Sequence, residues 1–204
     1  MLIHAAAGGV GLKAVEYVHW LRASTTATAG GRHKHLQLGW LGVNALCSSR
    51  DGIAFCCGLM AQHSGTRLHA VLNSLSLDFI SASFAVIGER GTFHEIGKRA
   101  IWAYPRHKAA ASHAAYGAIA VDTDTANGPD WMHGLLCRLA KRADAGVLTH
   151  LPLRSFDMEM QVELAFRTLQ SGLNTGKIVI RVASRDNRAR QGSHVITGLS
   201  LIHI

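Results

Sequence analysis

The chain has 204 residues, 48% of them apolar, which is enough for one sizeable domain with a packed core. No apolar run reaches the roughly 18 residues of a membrane-spanning helix, and the first residues lack signal-peptide character, so we expect a cytoplasmic protein with no membrane partner. The formal net charge is +8, but the basic residues are scattered and aromatic residues are few, which argues against a nucleic-acid partner.

The cysteine and histidine patterns do not predict a metal site. The 4 cysteines include no C-x-x-C pair, and the 13 histidines include no H-E-x-x-H sequence. Cys56 and Cys57 are adjacent, and neighbouring residues cannot easily bind one tetrahedral ion. We therefore expect reduced thiols and no bound metal.

Strand and helix patterns alternate along the first half of the chain. The predicted elements are a short buried strand at 1–7, a helix at 12–23, a strand at 25–30, a short helix at 35–42, a strand at 69–75, a helix at 78–91 that stops at two glycines, and a strand at 92–97. Strands that alternate with helices predict a parallel sheet with right-handed crossovers.

The pattern is weaker from residue 101 to residue 129, where "AIAVDT" at 118–123 predicts a further strand. After it come an amphipathic helix at 130–146, a second helix at 160–172 and a closing strand at 176–182. Together, these elements predict an α/β fold with a Rossmann-type, doubly wound parallel sheet.

Residues 6–11, "AAGGVG", have the position of a dinucleotide-binding turn between a strand and a helix. In the G-x-G-x-x-G pattern, Ala6 takes the first position, Gly8 the second and Gly11 the third. The second glycine leaves room for a pyrophosphate, and the following helix N-terminus directs free N–H groups toward it. The predicted cofactor contacts of this turn are Ala7, Gly8, Gly9, Val10 and Gly11. The alternative is a tight glycine turn that binds nothing.

The charges after the predicted second strand favour NADPH over NADH. Proteins that bind NAD place an acid there to bind the ribose hydroxyls, but no Asp or Glu occurs between residues 17 and 50. The same stretch contains Arg32 and Lys34 and ends at Arg50, and such cations would bind a 2′-phosphate.

Seven short sequences occur in an order that resembles a known family: "LIHAAAGGVG", "TATAG…K", "SSRD", "VLNSL", "GTFHEIGKR", "GVLTHLPL" and "TGKIVIRV". Over residues 2–182 the chain resembles the enoyl reductase domain of modular and iterative polyketide synthases, and the similar domain of animal fatty acid synthase. These domains are zinc-independent members of the medium-chain dehydrogenase/reductase superfamily. The resemblance implies that the sheet is the nucleotide-binding subdomain of a medium-chain reductase.

The resemblance also implies a domain organisation. Residues 1–182 correspond to the NADPH-binding part of an enoyl reductase, and the family's N-terminal GroES-like part is missing from this sequence. Residues 183–191 are predicted to be a linker, and "GSHVITG" at 192–198 resembles the opening strand of a ketoreductase domain. Residues 199–204, "LSLIHI", match what a common sequencing-library transposon end encodes, so we expect them to be adapter. The chain is therefore expected to be a fragment of a larger synthase and to be poorly active on its own.

In this family, NADPH gives a hydride to the β-carbon of an enoyl thioester on an acyl carrier protein, and the enolate is then protonated at the α-carbon. Lys98 matches the lysine of the proposed proton-donating pair, and Asp122 matches the aspartate, with Asp124 as a competitor for that role. The alternatives are a surface lysine at a strand end for Lys98, and a helix cap or a loop acid for Asp122. The residues implied on the nicotinamide side are Asn73, Ser74 and Leu75, and Ile96 and Gly97 are further predicted cofactor contacts.

Lys34 and Arg50 match basic residues that hold the 2′-phosphate in relatives, whereas His35 stands where an arginine is common. The predicted partners are an acyl carrier protein with its enoyl thioester and a ketoreductase domain in the same chain. Two other functions remain open. One is a stand-alone, quinone-oxidoreductase-like NADPH reductase, and the other is a non-catalytic nucleotide-binding remnant.

Overall fold

A computed structural model describes residues 1–76, 78–97 and 101–182, which contain eight strands and eight helices. The strands are β1 (Leu2–Ile3), β2 (Thr26–Ala29), β3 (Ala45–Ser48), β4 (Leu68–Asn73), β5 (Ile87–Glu95), β6 (Ala115–Ala118), β7 (Leu153–Asp157) and β8 (Lys177–Arg181). The helices are α1 (Gly9–Trp20), α2 (Arg32–Trp40), α3 (Gly52–Gln62), α4 (Asp78–Val86), α5 (Tyr104–Ala110), α6 (Val121–Asn127), α7 (Pro129–Asp144) and α8 (Met158–Ser171).

Six strands form one sheet in the order β3-β2-β1-β4-β5-β6, and every neighbouring pair is parallel. The order reverses direction between β1 and β4, which is the switch point where open α/β sheets bind ligands beyond the carboxyl ends of their strands. β7 and β8 form a separate parallel pair. The doubly wound α/β fold predicted from the sequence is therefore confirmed.

Helices cover both faces of the main sheet. Leu2 and Ile3 are adjacent in β1, so their side chains point to opposite faces of the sheet. Both have 0% of their surface exposed, because each face is covered. Leu2 belongs to an apolar cluster with Phe55 of α3 and Ile80 of α4. Ile3 belongs to a second cluster that includes Val15 of α1. A strand buried on both faces explains why the start of the sequence is apolar without alternation.

The helix predicted at 78–91 is shorter than expected. α4 ends at Val86, and Ile87 begins β5, so Gly88 and Gly91 lie inside a strand rather than ending a helix. Ile87 is 2% exposed and pairs with Leu68 of β4. The boundary between α4 and β5 is therefore set by pairing with a strand that is distant in sequence, which local propensity does not capture.

The strand predicted at 118–123 was wrong. β6 lies earlier, and α6 begins at Val121. A short apolar run does not distinguish a strand from a helix by periodicity, and here the register with β5 fixes the strand at Ala115 to Ala118. The sequence patterns also missed β3, α3, α5 and β7, while α1 begins at Gly9, three residues before the predicted start.

Within the described ranges, no helix combines the length and the apolar character needed to cross a membrane. The same part of the chain holds no group of three or more His, Cys, Asp or Glu side chains that could bind a metal. All four cysteines are free thiols, and burial raises the pKa of Cys47 to about 11, so this thiol stays protonated at neutral pH.

Candidate functional site

The glycine-rich turn lies between the end of β1 and the start of α1, at the switch point of the sheet. Ala5 has a positive φ of 48°, and its carbonyl accepts a hydrogen bond from the Gly8 N–H at 3.0 Å. The Ala5 N–H donates to Thr28 Oγ1 at 3.0 Å, and the Ala6 N–H donates to the Thr28 carbonyl at 2.9 Å. The turn is therefore fixed to β2 by the hydroxyl and the carbonyl of Thr28.

The buried side chain of His4 connects this turn to β2 and α4. Its ring is 3% exposed, with Nδ1 at 3.2 Å from Thr28 Oγ1 and Nε2 at 2.9 Å from Ser83 Oγ. The Ser83 hydroxyl donates to the Phe79 carbonyl at 2.6 Å, so it accepts from a protonated His4 Nε2. Burial lowers the pKa of His4 to about 3, so the imidazole is neutral near pH 7. With its proton on Nε2, the ring accepts the Thr28 hydroxyl at Nδ1.

Gly8 and Gly11 have different surroundings. A Cβ on Gly11 would lie 2.4 Å from Ala6 Cα, so only glycine lets α1 approach the turn this closely. A Cβ on Gly8 would meet nothing nearer than the Ala5 carbonyl oxygen, at 3.4 Å. The space above Gly8 is therefore open to a ligand, as the alignment with the dinucleotide pattern predicts.

A cleft of about 290 Å³ opens beside the turn, at the carboxyl ends of β1, β2 and β3. Its lining residues are Ala5, Ala7, Gly8, Ala29, Gly30, Lys34, Ser49, Arg50, Gly172 and Asn174. The structure thus brings Ala7, Gly8, Lys34 and Arg50, four of the predicted cofactor residues, to one cavity whose lining contains no Asp or Glu. Gly9, Val10 and Gly11 form the first turn of α1, where backbone N–H groups lack partners within the helix.

Lys34 and Arg50 already contact the end of α8. Lys34 Nζ donates to the Gly172 carbonyl at 2.6 Å, and Arg50 donates to the Ser171 carbonyl at 3.3 Å. These carbonyls belong to a helix C-terminus, which attracts cations. Each contact uses one N–H of a group that has three donors in lysine and five in arginine. Both side chains therefore keep donors for an anion.

The two cations also repel each other. Lys34 is 9% exposed, and its pKa is lowered first by burial and then by the nearby Arg50 charge. The carboxylate of the adjacent acid, Asp51, accepts the Ala54 N–H at 3.0 Å and caps α3. An anion bound between Lys34 and Arg50 would relieve this repulsion.

The predicted nicotinamide-side residues meet on the other side of the switch point. Asn73 ends β4, and its backbone carbonyl accepts the Ile96 N–H at 2.9 Å. Its side-chain Nδ2 donates to the Leu75 carbonyl at 2.7 Å and to Glu95 Oε2 at 2.6 Å. The other Glu95 oxygen accepts the Gly97 N–H at 2.6 Å. The loops after β4 and β5 are therefore joined through one carboxylate.

Ser74 also belongs to this group, because its hydroxyl donates to the His4 carbonyl at 3.4 Å. This contact links the loop after β4 to the glycine turn.

The proposed proton-donating pair is described only in part. Lys98 lies outside the described residues. Asp122 lies in the first turn of α6, just after Ile119, whose N–H donates to the Glu95 carbonyl at 2.8 Å. Asp124 has a local role, because its carboxylate accepts the Ala120 N–H at 3.2 Å at the start of the same helix.

The sequence analysis did not identify two of the residues that organise this site. His4 and Glu95 are both almost fully buried, with 3% and 1% of their surface exposed. The available sign was a polar residue within an otherwise apolar strand or turn, in "LIHAAA" and "TFHEIG". Buried polar groups of this kind need partners, which only the folded chain identifies.

The fold and this cleft define a Rossmann-type nucleotide-binding subdomain. The chain belongs to the zinc-binding dehydrogenase family, whose model matches residues 41–180. Although that family is described as zinc-binding, the described part of this chain holds no group of residues suited to a metal ion.

Known polyketide synthases resemble this chain over most of its length. The chain is 32% identical over 199 residues to the pikromycin polyketide synthase component PikAII of Streptomyces venezuelae. The match covers 97% of this chain but only 5% of that protein. The crystal structure of the CurK enoyl reductase matches with a TM-score of 0.80 and 32% identity, over 88% of this chain and 53% of that one.

A third match is the nucleotide-binding subdomain of the enoylreductase domain of PpsC from Mycobacterium tuberculosis. Its TM-score is 0.63 at 28% identity, over 72% of this chain and 83% of that one. These similarities confirm the resemblance to enoyl reductase domains of polyketide synthases. The chain spans about half the length of the CurK enoyl reductase and a small part of the synthases.

Proposed function

We propose that this chain is the NADPH-binding part of an enoyl reductase within a reducing polyketide or fatty acid synthase. The observation that carries the proposal is the cleft at the switch point, which combines a glycine turn with Lys34 and Arg50 and has no acid in its lining. The similarity to enoyl reductase domains supports the reaction class. The proposed location is the cytoplasm.

The cleft residues fit NADPH in three ways. The open face of Gly8 and the first turn of α1 suit the pyrophosphate, because N–H groups at a helix N-terminus bind anions. Lys34 and Arg50 suit the 2′-phosphate, since both cationic side chains line the cavity and keep donors that the α8 contacts do not use. The loops at Asn73, Leu75 and Gly97 lie farther along the same sheet edge, on the side proposed for the nicotinamide.

When bound, NADPH supplies the hydride for reduction of the enoyl double bond. The residues of this chain bind and orient it: the glycine turn holds the pyrophosphate, and the loops after β4 and β5 position the nicotinamide. Lys98 and Asp122 are proposed to stabilise the enolate oxygen and to deliver the proton to the α-carbon. The proposed substrate is an enoyl thioester on an acyl carrier protein, with a ketoreductase domain as the neighbour.

The cofactor part of the proposal is tested by replacing Lys34 with alanine. Loss of a charge-assisted hydrogen bond to the 2′-phosphate should weaken NADPH binding by about 10- to 100-fold and leave NADH binding nearly unchanged. Fluorescence titration of the 204-residue chain with each cofactor measures both affinities. Lys141→Ala, at an exposed site in α7, is the matched control and should change neither.

NADH serves as an internal reference, because Lys34 also contacts Gly172 and its loss could disturb the cleft. Equal weakening of NADPH and NADH binding would show that Lys34 only supports α8 and does not bind the 2′-phosphate. Wild-type chain that binds neither cofactor would contradict the proposed function.

The reaction is tested by adding a crotonyl thioester to the chain with NADPH and following NADPH absorbance. Reduction of the thioester, even if slow, supports the enoyl reductase. Consumption of NADPH with a quinone alone would instead support the quinone-oxidoreductase-like alternative. In a complete enoyl reductase that contains this chain, NADPH binding without either reaction would favour a non-catalytic nucleotide-binding role.

A further inference from the structure

Glu95 lies where three loops meet at the carboxyl end of the sheet. It is the last residue of β5 and is 1% exposed. One carboxylate oxygen accepts from Asn73 Nδ2 at 2.6 Å, and the other accepts from the Gly97 N–H at 2.6 Å. Its backbone carbonyl accepts the Ile119 N–H at 2.8 Å. The loops that follow β4, β5 and β6 are therefore all tied to one residue.

The contacts require both carboxylate oxygens of Glu95 to act as acceptors. Asn73 Nδ2 and the Gly97 N–H can only donate, and Asn73 Oδ1 is used by the Leu75 N–H at 3.2 Å. Burial raises the pKa of Glu95, while the hydrogen bonds from Asn73 and Gly97 oppose that shift. A buried carboxyl group costs free energy to desolvate, so its presence here is not explained by packing alone.

The Glu95 side chain also constrains the loop at Gly97. A Cβ on Gly97 would lie 2.7 Å from Glu95 Oε1, so the loop backbone is pressed against the carboxylate. Leu75 is fixed from the other side, since both its N–H and its carbonyl bond to the Asn73 side chain. One side-chain pair thus sets the positions of both loops proposed to contact the nicotinamide.

We propose that Glu95 is the positioning residue of the nicotinamide half of the site. This inference rests on the proposed function and adds a residue that acts through Asn73 and Gly97 rather than by contact with the cofactor. It predicts that the two halves of the cofactor respond differently to a change at Glu95. The adenine half contacts the glycine turn, Lys34 and Arg50, which Glu95 does not touch.

The test is Glu95→Gln, which keeps the side-chain shape but places an NH₂ group against one of two N–H donors. Two probes are titrated against the 204-residue chain: NADPH, and 2′-phospho-ADP-ribose, which lacks the nicotinamide. We expect NADPH to bind about 10-fold more weakly while the affinity for 2′-phospho-ADP-ribose stays within about 2-fold. The enhancement of NADPH fluorescence on binding, which reports the nicotinamide environment, should also fall.

Glu89→Gln, on the exposed part of β5, is the matched control and should change neither affinity. A second variant, Asn73→Asp, replaces the Nδ2 donor with an oxygen that faces Glu95 Oε2 and the Leu75 carbonyl. It should weaken NADPH binding more than binding of 2′-phospho-ADP-ribose, as Glu95→Gln does. Equal weakening of both probes would count against the paired arrangement.

The outcomes separate this inference from the proposed function. Wild-type chain that binds neither probe contradicts the function itself. If both probes bind to the wild type and Glu95→Gln weakens them equally, Glu95 has only a structural role and the inference is wrong. Unchanged NADPH affinity and fluorescence in Glu95→Gln would also overturn it.

Discussion

His4 shows at the scale of one residue how the turn before α1 is held in place. Its ring bridges Thr28 and Ser83, and Thr28 in turn holds the Ala5 N–H. The Ser83 hydroxyl donates to a backbone carbonyl, so it accepts from His4 Nε2. Burial of the ring disfavours the charged imidazole, and the neutral ring accepts the Thr28 hydroxyl at Nδ1.

The burial of a neutral His4 predicts that the free energy of unfolding depends on pH. The folded chain has a His4 pKa of about 3, below the ordinary value of 6.5. Between these values the unfolded chain binds a proton that the folded chain does not, so stability falls as the pH drops below 6.5. The contribution of His4 is about 1.4 kcal/mol for each pH unit.

Urea unfolding of the wild type and of His4→Gln, between about pH 6.5 and pH 4.5, measures this contribution. The free energy of unfolding should fall more steeply with acidification in the wild type than in the variant, whatever the variant's starting stability. Equal slopes would mean that His4 titrates normally in the folded chain.

At the scale of one element, α1 docks on the end of β1 through its glycines. Gly11 allows the backbone of α1 to touch Ala6, while Gly8 leaves open space at the cleft. The same short sequence therefore contains a packing glycine and a binding glycine. Their substitutions should differ in what they damage.

Gly11→Ala should lower the free energy of unfolding by about 2 kcal/mol. The new methyl group would overlap Ala6, and the gain in helix propensity is at most about 1 kcal/mol. Gly8→Ala should change stability by less than about 1 kcal/mol, because φ −79° and ψ 171° suit alanine. It should weaken NADPH binding by about 10-fold or more, since its methyl group would occupy the pyrophosphate space.

Chemical unfolding and NADPH titration of the two variants measure these effects side by side. If Gly8→Ala binds NADPH as well as the wild type does, the pyrophosphate does not lie above Gly8. A fully stable Gly11→Ala would contradict the close packing of α1 on the turn.

At the scale of the whole molecule, the proposed site joins parts that lie far apart in the sequence. Arg50 and Lys34 contact the end of α8, and the Gly176 N–H donates to the Ala7 carbonyl at 2.9 Å. The segment before β8 therefore forms one wall of the cleft beside the glycine turn. A ligand in this cleft would contact the main sheet and the α8 segment at the same time.

NADPH should therefore stabilise the entire folded chain. At about 100 times its Kd, a ligand that binds only the folded state adds about 2.7 kcal/mol, which corresponds to a rise in Tm of about 5–10 °C for a chain of this size. Thermal unfolding with NADPH, and with NADH at the same concentration, measures the effect. NADPH should give the larger shift, and Lys34→Ala should reduce the difference between the two, because Arg50 remains. A Tm that NADPH leaves unchanged would argue against a site in this cleft.

The sequence by itself determined the fold class, the glycine turn and the family resemblance. Apolar strands that alternate with helices, and glycines at fixed spacing, are local patterns that need no knowledge of distant contacts. The basic stretch without acids favoured NADPH in the same way, and the family resemblance then assigned Lys34 and Arg50 to its 2′-phosphate. Their contact with a cofactor stays a prediction, as does the role of Lys98 and Asp122.

Only the tertiary structure decided where α4 gives way to β5, where β6 ends, and which buried polar groups hold the site together. Ile87 is a strand residue because β4 lies beside it, and Glu95 matters because Asn73, 22 residues earlier, lies beside it in the sheet. Lys34 meets Gly172 across 138 residues of sequence. Such contacts depend on the register of the sheet and the packing of the last helix, and no short stretch of sequence contains that information.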